Sequence, residues 1–294
     1  MKEKTVYALG YFDGVHLGHQ ALLNTCRELA AAQKNNCGAV TFSTHPQQLL
    51  TGKAVRLINT KDDRKKLLLQ QVNTVLELDF TEQLMAMPWQ DFIRMLVQEQ
   101  GASGFVCGSD FRFGKGGEGC AAALQDFCKE NALACAVVEQ QYVDGLRVSS
   151  THIRKLLEQG NLQDANRFLG HNHILTGQVA YGKQLGRTIG IPTANLYYPE
   201  HLLTLPYGVY ACRVLAEGET YAAVTNIGVR PTVSGEGVTV ESHLLNFSGD
   251  LYGKIIEISF LEFLRPEYKF ANLSELQKQI QKDKFSVENV MQNY

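Results

Sequence analysis

The chain of 294 residues carries no surplus of charge: 28 Lys and Arg stand against 30 Asp and Glu, a formal net charge of −2. Without a basic face, polymeric nucleic acid is not an expected partner, although a small anion needs only local positive charge. No apolar run approaches the length of a membrane span, and no apolar core of a signal peptide follows the short charged start Met1–Thr5. There is no C-x-x-C pair, and the cysteine count is odd: Cys26, Cys37, Cys107, Cys120, Cys128, Cys135 and Cys212. That spacing fits buried or free thiols in a reducing cytosol better than a disulfide frame or a zinc site. Internal repeats and low-complexity stretches are absent as well. The absences together describe a soluble cytoplasmic protein with no membrane partner, long enough for two domains that each bury a core.

What is present begins at Gly10. The segment G-Y-F-D-G-V-H-L-G-H to His19 follows an apolar run, Val6–Leu9, that reads as a strand, and opens a run, Ala21–Ala32, that reads as a helix. His16 and His19 therefore stand three apart at a helix N-terminus, where free N–H groups and a partial positive charge favour phosphate. Imidazoles there can donate to phosphoryl oxygens as charge builds in a transition state, which suggests nucleotidyl transfer. A metal pair and a plain surface turn are the alternatives. A metal wants a third nearby ligand, and as far as Ala32 only Cys26 offers one.

The first half alternates strand-like and helix-like segments. Strands are predicted at Val6–Gly10, Gly38–Phe42, Val72–Leu78, Gly104–Gly108 and Ala134–Val138, with helices at Lys61–Gln70, Trp89–Glu99 and Ala121–Asn131. This is the pattern of a parallel sheet with helices on both faces, whose ligands bind beyond the carboxyl ends of the strands. Helical stretches at Ile153–Leu157 and Leu162–Leu169 then give way to β-rich sequence at Val209–Leu215, Tyr221–Ile227, Val238–Leu245 and Ile255–Phe263. Such spacing predicts an antiparallel barrel, followed by a terminal helix from Ser274, its expected cap. The boundary is expected between His171 and Gly177, giving domains of residues 1–172 and 173–294.

Three further segments look like phosphate sites. Gly114–Gly119 matches G-x-G-x-x-G, but the preceding strand ends near Gly108, too early for a dinucleotide turn; a mobile glycine loop is the better reading. Gly177–Gln184 is one residue short of a P-loop and lacks its helix, yet Gly182 and Lys183 would suit a basic loop closing over phosphates. Ser149–Arg154 places hydroxyls at a helix start between Arg147 and Arg154. Those hydroxyls are either simple caps or donors to a triphosphate.

At this point nearly the whole chain resembles the bacterial bifunctional riboflavin kinase/FMN adenylyltransferases. The first half carries Phe12-Asp13-Gly14-Val15-His16-Leu17-Gly18-His19, Thr41-Phe42 with His45-Pro46, Gly108–Gly114, and Val148-Ser149-Ser150-Thr151 with Ile153-Arg154. The second half carries Gly190-Ile191-Pro192-Thr193-Ala194-Asn195-Leu196, Asn226–Thr232, Val240-Glu241 with His243–Leu245, Asp250–Gly253, and Leu264-Arg265-Pro266-Glu267 with Lys269-Phe270. The resemblance implies an α/β nucleotidyltransferase domain (a Rossmann-like parallel sheet) followed by a riboflavin kinase β-barrel with a terminal helix. Thr44, where the family usually has Pro, and Asn246, where Asp is common, depart from the pattern without removing a group the chemistry needs.

The resemblance also implies roles. Glu241 would be the general base of the kinase step, and Thr193 and Asn195 would supply oxygen ligands to Mg2+ held with ATP. Without it, Glu241 reads as a solvent-facing strand residue, and Thr193 and Asn195 as turn chemistry after Pro192. His16 and His19 would serve the α-phosphate in adenylyl transfer, Phe12, Asp13, Gly14 and Gly18 would bind the nucleotide, and Arg147, Ser150, Thr151 and Arg154 would hold the outer phosphates. Asp110 would sit near bound flavin or be a structural loop acid. Phe113 would flank the isoalloxazine or fill the core. Arg265 would contact flavin or make a structural ion pair. The implied small molecules are ATP, riboflavin, FMN, FAD and pyrophosphate.

Overall fold

β1 (Thr5–Leu9) is buried along its whole length, because it lies at the centre of a five-stranded sheet. The computed structural model describes residues 3–52, 54–181, 191–232 and 235–293, the side chains of 50, 230–232, 235 and 236 aside. Gly182 and Lys183 lie outside the described residues. The chain folds as two compact units, Met1–Val55 with Arg64–Ser150, and Arg56–Asp63 with Thr151–Tyr294.

In the first unit, β1 is flanked by β2 (Asn36–Phe42), β3 (Thr74–Leu78), β4 (Ala102–Gly108) and β7 (Ala134–Val138) in the order β3-β2-β1-β4-β7, all parallel. Two-residue strands β5 (Arg112–Phe113) and β6 (Gly119–Cys120) pair with each other, as do β8 (Tyr142–Val143) and β9 (Leu146–Arg147). Alternation along β1 separates two faces. Tyr7 and Leu9 pack with Phe92, Ile93 and Leu96 of α5 (Trp89–Gln100) and Leu124 of α6 (Ala121–Glu130). The thiol of Cys26 on α1 (Leu17–Ala32) meets the Val6 and Gly38 carbonyls from the other side. Successive elements leave β1 toward β2 on one side and β4 on the other, so a topological switch point falls where β1 ends. The Gly114–Gly119 segment forms a tight turn at Lys115–Gly117, with Gly114 and Gly119 set against Trp89. All seven cysteines are free thiols.

Shorter helices α2 (Pro46–Thr51), α3 (Lys61–Leu69) and α4 (Glu82–Met85) connect the early strands. After α7 (Ser150–Glu158) and α8 (Leu162–Leu169) comes a six-stranded antiparallel sheet. Its strands are β10 (His173–Gln178), β11 (Ala194–Tyr197), β12 (Gly208–Ala216), β13 (Glu219–Thr232), β14 (Gly235–Leu244) and β15 (Ile255–Pro266), ordered β10-β15-β12-β13-β14-β11. The sheet curls toward closure, since Ala180, just past β10, donates to Asn195 O on β11 at 2.8 Å. α9 (Leu273–Met291) lays Val287 and Val290 on Val209, Val224 and Leu261. Its cap is Asn272, not Ser274: Asn272 is extended and accepts from Glu275 N at 3.0 Å, so the helix begins one residue before the expected cap. Among the described residues no helix is long and apolar enough to cross a membrane.

Candidate active sites

In the first unit the chain leaves β1 through a loop held in an uncommon backbone conformation. Phe12 and Val15 have φ of 62° and 40°, and Gly14 has φ of 83°. Two non-glycine residues in that region mark stored strain, which the surroundings must enforce. They do so by tying the loop carbonyls: Thr41 Oγ1 donates to Tyr11 O at 2.8 Å, Gln20 Nε2 to Val15 O at 2.9 Å, and Ser150 Oγ to Asp13 O at 2.9 Å. Asp13 and His16 are buried.

His16 caps α1: its Nδ1 accepts from His19 N at 3.3 Å, which leaves the ring proton on Nε2. The two imidazoles stack at 3.6 Å between centroids, and Phe12 meets the edge of His19 at 5.2 Å. Gly18 allows this, because a Cβ there would lie 3.2 Å from the His16 ring. Burial, with His16 beside it, holds His19 well below the usual imidazole range, so it is neutral at physiological pH. The result is a pair of neutral N–H rings at a helix N-terminus.

Asp110, expected near flavin, and Arg147, expected at phosphate, meet each other in an ion pair, with Gln140 donating to the same carboxylate. Phe113 is buried in an aromatic cluster with Trp89 and Phe92. Phe111 stacks on it at 5.4 Å and is the more exposed of the two. Ser150 belongs to the first unit, whereas Thr151 and Arg154 stand on the part of α7 that belongs to the second. Sequence reading missed Arg64 entirely. The residue is 2% exposed, and its guanidinium donates to Phe42 O at 2.7 Å and lies 4.2 Å over the Tyr11 ring, which also meets His45 at 4.4 Å. A run reading K-D-D-R-K-K gives no signal that one of its cations is interior.

In the second unit, register assembles the site. Glu241 on β14 is paired with Asn195 on β11 and with Asn226 on β13. The neighbouring rows, Ala194–Ser242–Thr225 and Leu196–Val240–Ile227, are buried, so the Asn195–Glu241–Asn226 row lies on the opposite face. The Pro192–Asn195 segment is pinned at both ends. His243 Nδ1 bonds Pro192 O at 2.8 Å, and Asn195 Nδ2 donates to Thr193 O at 3.2 Å, leaving the amide oxygen of Asn195 as its acceptor. Burial lowers the His243 pKa, which keeps its ring neutral. Arg265 falls in the same cross-strand row but three strands away, through Asn226–Val209 and Val209–Arg265. Its Nε and Nη2 donate to Asp283 at 2.9 and 2.7 Å, and its Nη1 to Pro266 O at 3.1 Å. Asn226 and Glu267, neither of which has a separate role in the sequence reading, bond at 2.8 Å.

Family models divide the chain in the same order. A FAD synthetase model matches residues 1–152 and a riboflavin kinase model residues 169–291. The bifunctional riboflavin kinase/FMN adenylyltransferase of Escherichia coli strain K12 is 38% identical over 291 residues, 97% of this chain and 92% of that protein. Its namesake in Bacillus subtilis strain 168 is 35% identical over 287 residues, 96% of this chain and 90% of that one. A crystal structure of a protein described as a macrolide-efflux protein from Streptococcus pneumoniae matches with a TM-score of 0.87 and 28% identity, covering 98% of this chain and 95% of that one. Relatives that carry both activities align along almost the whole chain, and both modules are matched in order, so the chain belongs to the bifunctional riboflavin kinase/FMN adenylyltransferase family: it phosphorylates riboflavin to FMN and adenylylates FMN to FAD.

Proposed function

We propose that the two reactions are divided between the two units, with Glu241 the base of the kinase step and the His16–His19 turn the phosphate site of adenylyl transfer. The cross-strand pairing of Glu241 with Asn195, two residues beyond Thr193, carries this reading. In the kinase step Glu241 takes the proton from the ribityl 5′-hydroxyl as that oxygen attacks the γ-phosphorus of ATP and ADP leaves. The Thr193 hydroxyl and the Asn195 amide oxygen are hard oxygen donors, which suits Mg2+. They would hold the ion with ATP, and its chemistry is to neutralise charge on the phosphates. Gly182 and Lys183 complete the proposal as a basic loop over those phosphates.

In the second step a phosphate oxygen of FMN attacks the α-phosphorus of another ATP, and pyrophosphate leaves. The nucleophile is already anionic, so alignment and charge stabilisation suffice. Neutral imidazole N–H groups at the start of α1 meet that need, and the bonds to the Tyr11, Asp13 and Val15 carbonyls support Phe12, Asp13, Gly14 and Gly18 as the loop that shapes the site. Arg147, Ser150, Thr151 and Arg154 are assigned to the β- and γ-phosphates, so ATP has to draw Arg147 from Asp110, which frees that carboxylate for the flavin. Phe111 is the ring assigned to the isoalloxazine, stacked on a Phe113 that the core has taken up. Arg265 is assigned to holding α9.

Incubating the chain with riboflavin, ATP and Mg2+ and resolving the flavins by chromatography tests the division. Glu241→Ala should make no FMN from riboflavin yet still convert supplied FMN to FAD. Loss of both steps, or survival of both, would overturn it.

A further inference from the structure

Asn226 stands beside Glu241 on the side away from Asn195. Side chains directly opposite on one face of an antiparallel pair have Cβ atoms roughly 4.5–5.5 Å apart, so the amide borders the carboxylate. If the phosphate end of the reaction lies toward Thr193 and Asn195, the body of the phosphoryl acceptor runs past Asn226. The orientation of that amide is set by Glu267, whose Oε1 accepts from Asn226 Nδ2 at 2.8 Å. This leaves Asn226 Oδ1 as an acceptor that receives no hydrogen bond from the described residues.

Glu267 itself has a built seat. Gly228 follows Asn226 by two residues and so shares its face of β13, and a Cβ at Gly228 would lie 2.3 Å from Glu267 Oε1 and 2.6 Å from its carboxyl carbon. The carboxylate therefore rests directly on the strand backbone, where any side chain at 228 would displace it. Glu241, Asn226 Oδ1 and Glu267 together make a surface of acceptors. Such a surface repels phosphate and takes hydrogen-bond donors, and the donors of a flavin's side chain are its hydroxyls.

We propose that Asn226, oriented by Glu267 on its Gly228 seat, is the specificity-determining residue for the hydroxylated ribityl chain of riboflavin. The proposal rests on the reading of Glu241 as the base that receives the terminal hydroxyl of the same chain. A site built to hydrogen-bond hydroxyls discriminates sharply against analogues that lack them, because its polar groups are then left unpaired.

The test measures KM for riboflavin in FMN formation, together with inhibition of that step by lumiflavin, which keeps the ring system and lacks the ribityl chain. Asn226→Ala should raise KM for riboflavin about tenfold or more, with the inhibition constant of lumiflavin unchanged. Glu267→Gln and Gly228→Ala should raise the same KM about threefold or more; the first changes only an exposed side chain and keeps the test open if Asn226→Ala does not fold. Conversion of supplied FMN to FAD should be unchanged in all three. An unchanged riboflavin KM in Asn226→Ala and Glu267→Gln overturns the proposal, and so does a parallel loss of lumiflavin binding. Turnover by Glu241→Ala would overturn the base assignment alone, since the KM comparison uses chains that retain Glu241.

Discussion

At the scale of single residues, burial sets the protonation of two imidazoles. His16 accepts from the backbone through Nδ1, and burial beside it keeps His19 neutral; in the proposed adenylyl transfer their N–H groups would donate to a phosphoryl oxygen. Removing a preorganised donor from a transition state costs on the order of 10²–10³ in rate. His19→Ala should lose FMN-to-FAD conversion by about that factor while riboflavin-to-FMN conversion continues, as product chromatography would show; equal loss of both steps would contradict the assignment. His173 tests burial in a different way. Burial first, then nearby His171, lowers its pKa from 6.5 to about 3. The unfolded chain gains a proton below pH 6.5 that the folded chain refuses until about pH 3, so stability falls through that window as pH falls. The slope from this group is about 1.4 kcal/mol per pH unit. His173→Gln should flatten the decline in denaturant midpoint between pH 6.5 and 5, and identical slopes in the two proteins would refute the prediction.

At the scale of elements, α9 is fastened by more than its apolar face. Arg265 of β15 reaches Asp283 of α9 with two hydrogen bonds, and their side chains are only 16% and 5% exposed. Breaking a largely buried pair by deleting one partner leaves the other charge desolvated, at a cost of about 3–5 kcal/mol when burial is complete. Arg265→Met should therefore lower the unfolding free energy by about 3 kcal/mol, measured by urea denaturation, because Asp283 keeps its burial and the Gln279 hydrogen bond but loses its cationic partner. A variant as stable as the parent would mean the pair adds nothing. The sequence was legible here in part. Each of the five main strands of the first unit begins within two residues of its predicted start, since strands of a parallel sheet are written as apolar runs between turn residues. β10 and β11 were not predicted as strands: H-I-L-T-G-Q and A-N-L-Y are short, and their polar residues mask the alternation. The cap of α9 moved to Asn272 because a cap is defined by where the backbone turns extended, and both Asn and Ser have the chemistry to serve.

At the scale of the whole molecule, the two units are not two consecutive lengths of chain. Arg56–Asp63, from between β2 and β3, is part of the second unit. Leu57 N donates to His201 O at 3.0 Å, Leu203 N donates to Leu57 O at 2.8 Å, and the buried Asp63 carboxylate accepts from Thr60 Oγ1 at 2.9 Å and Thr176 N at 3.2 Å. Truncating a buried acceptor costs about 1–3 kcal/mol, so Asp63→Ala should destabilise the unit that contains Thr176 by about that amount. Residues 151–294 produced alone lack the whole segment and should unfold at a lower denaturant concentration than the same unit in the full chain. Equal midpoints would show that the segment contributes nothing to stability.

By itself the sequence determined the order of the two fold classes, the loop-to-helix turn that carries His16 and His19, and the membership of Glu241, Thr193 and Asn195 in one motif set. The first two are local, following from periodicity and from the run that opens a helix, whereas the motif set was legible only through the family resemblance. Only the tertiary structure decided which distant residues share a face. Register set Asn226 beside Glu241, hydrogen-bonding laid Glu267 over Gly228, and packing drove Arg64 onto the Tyr11 ring from a run that looks solvent-facing. It also gave Arg147 to Asp110 and Arg265 to Asp283, because an ion pair depends on distance in space, which residue order does not encode.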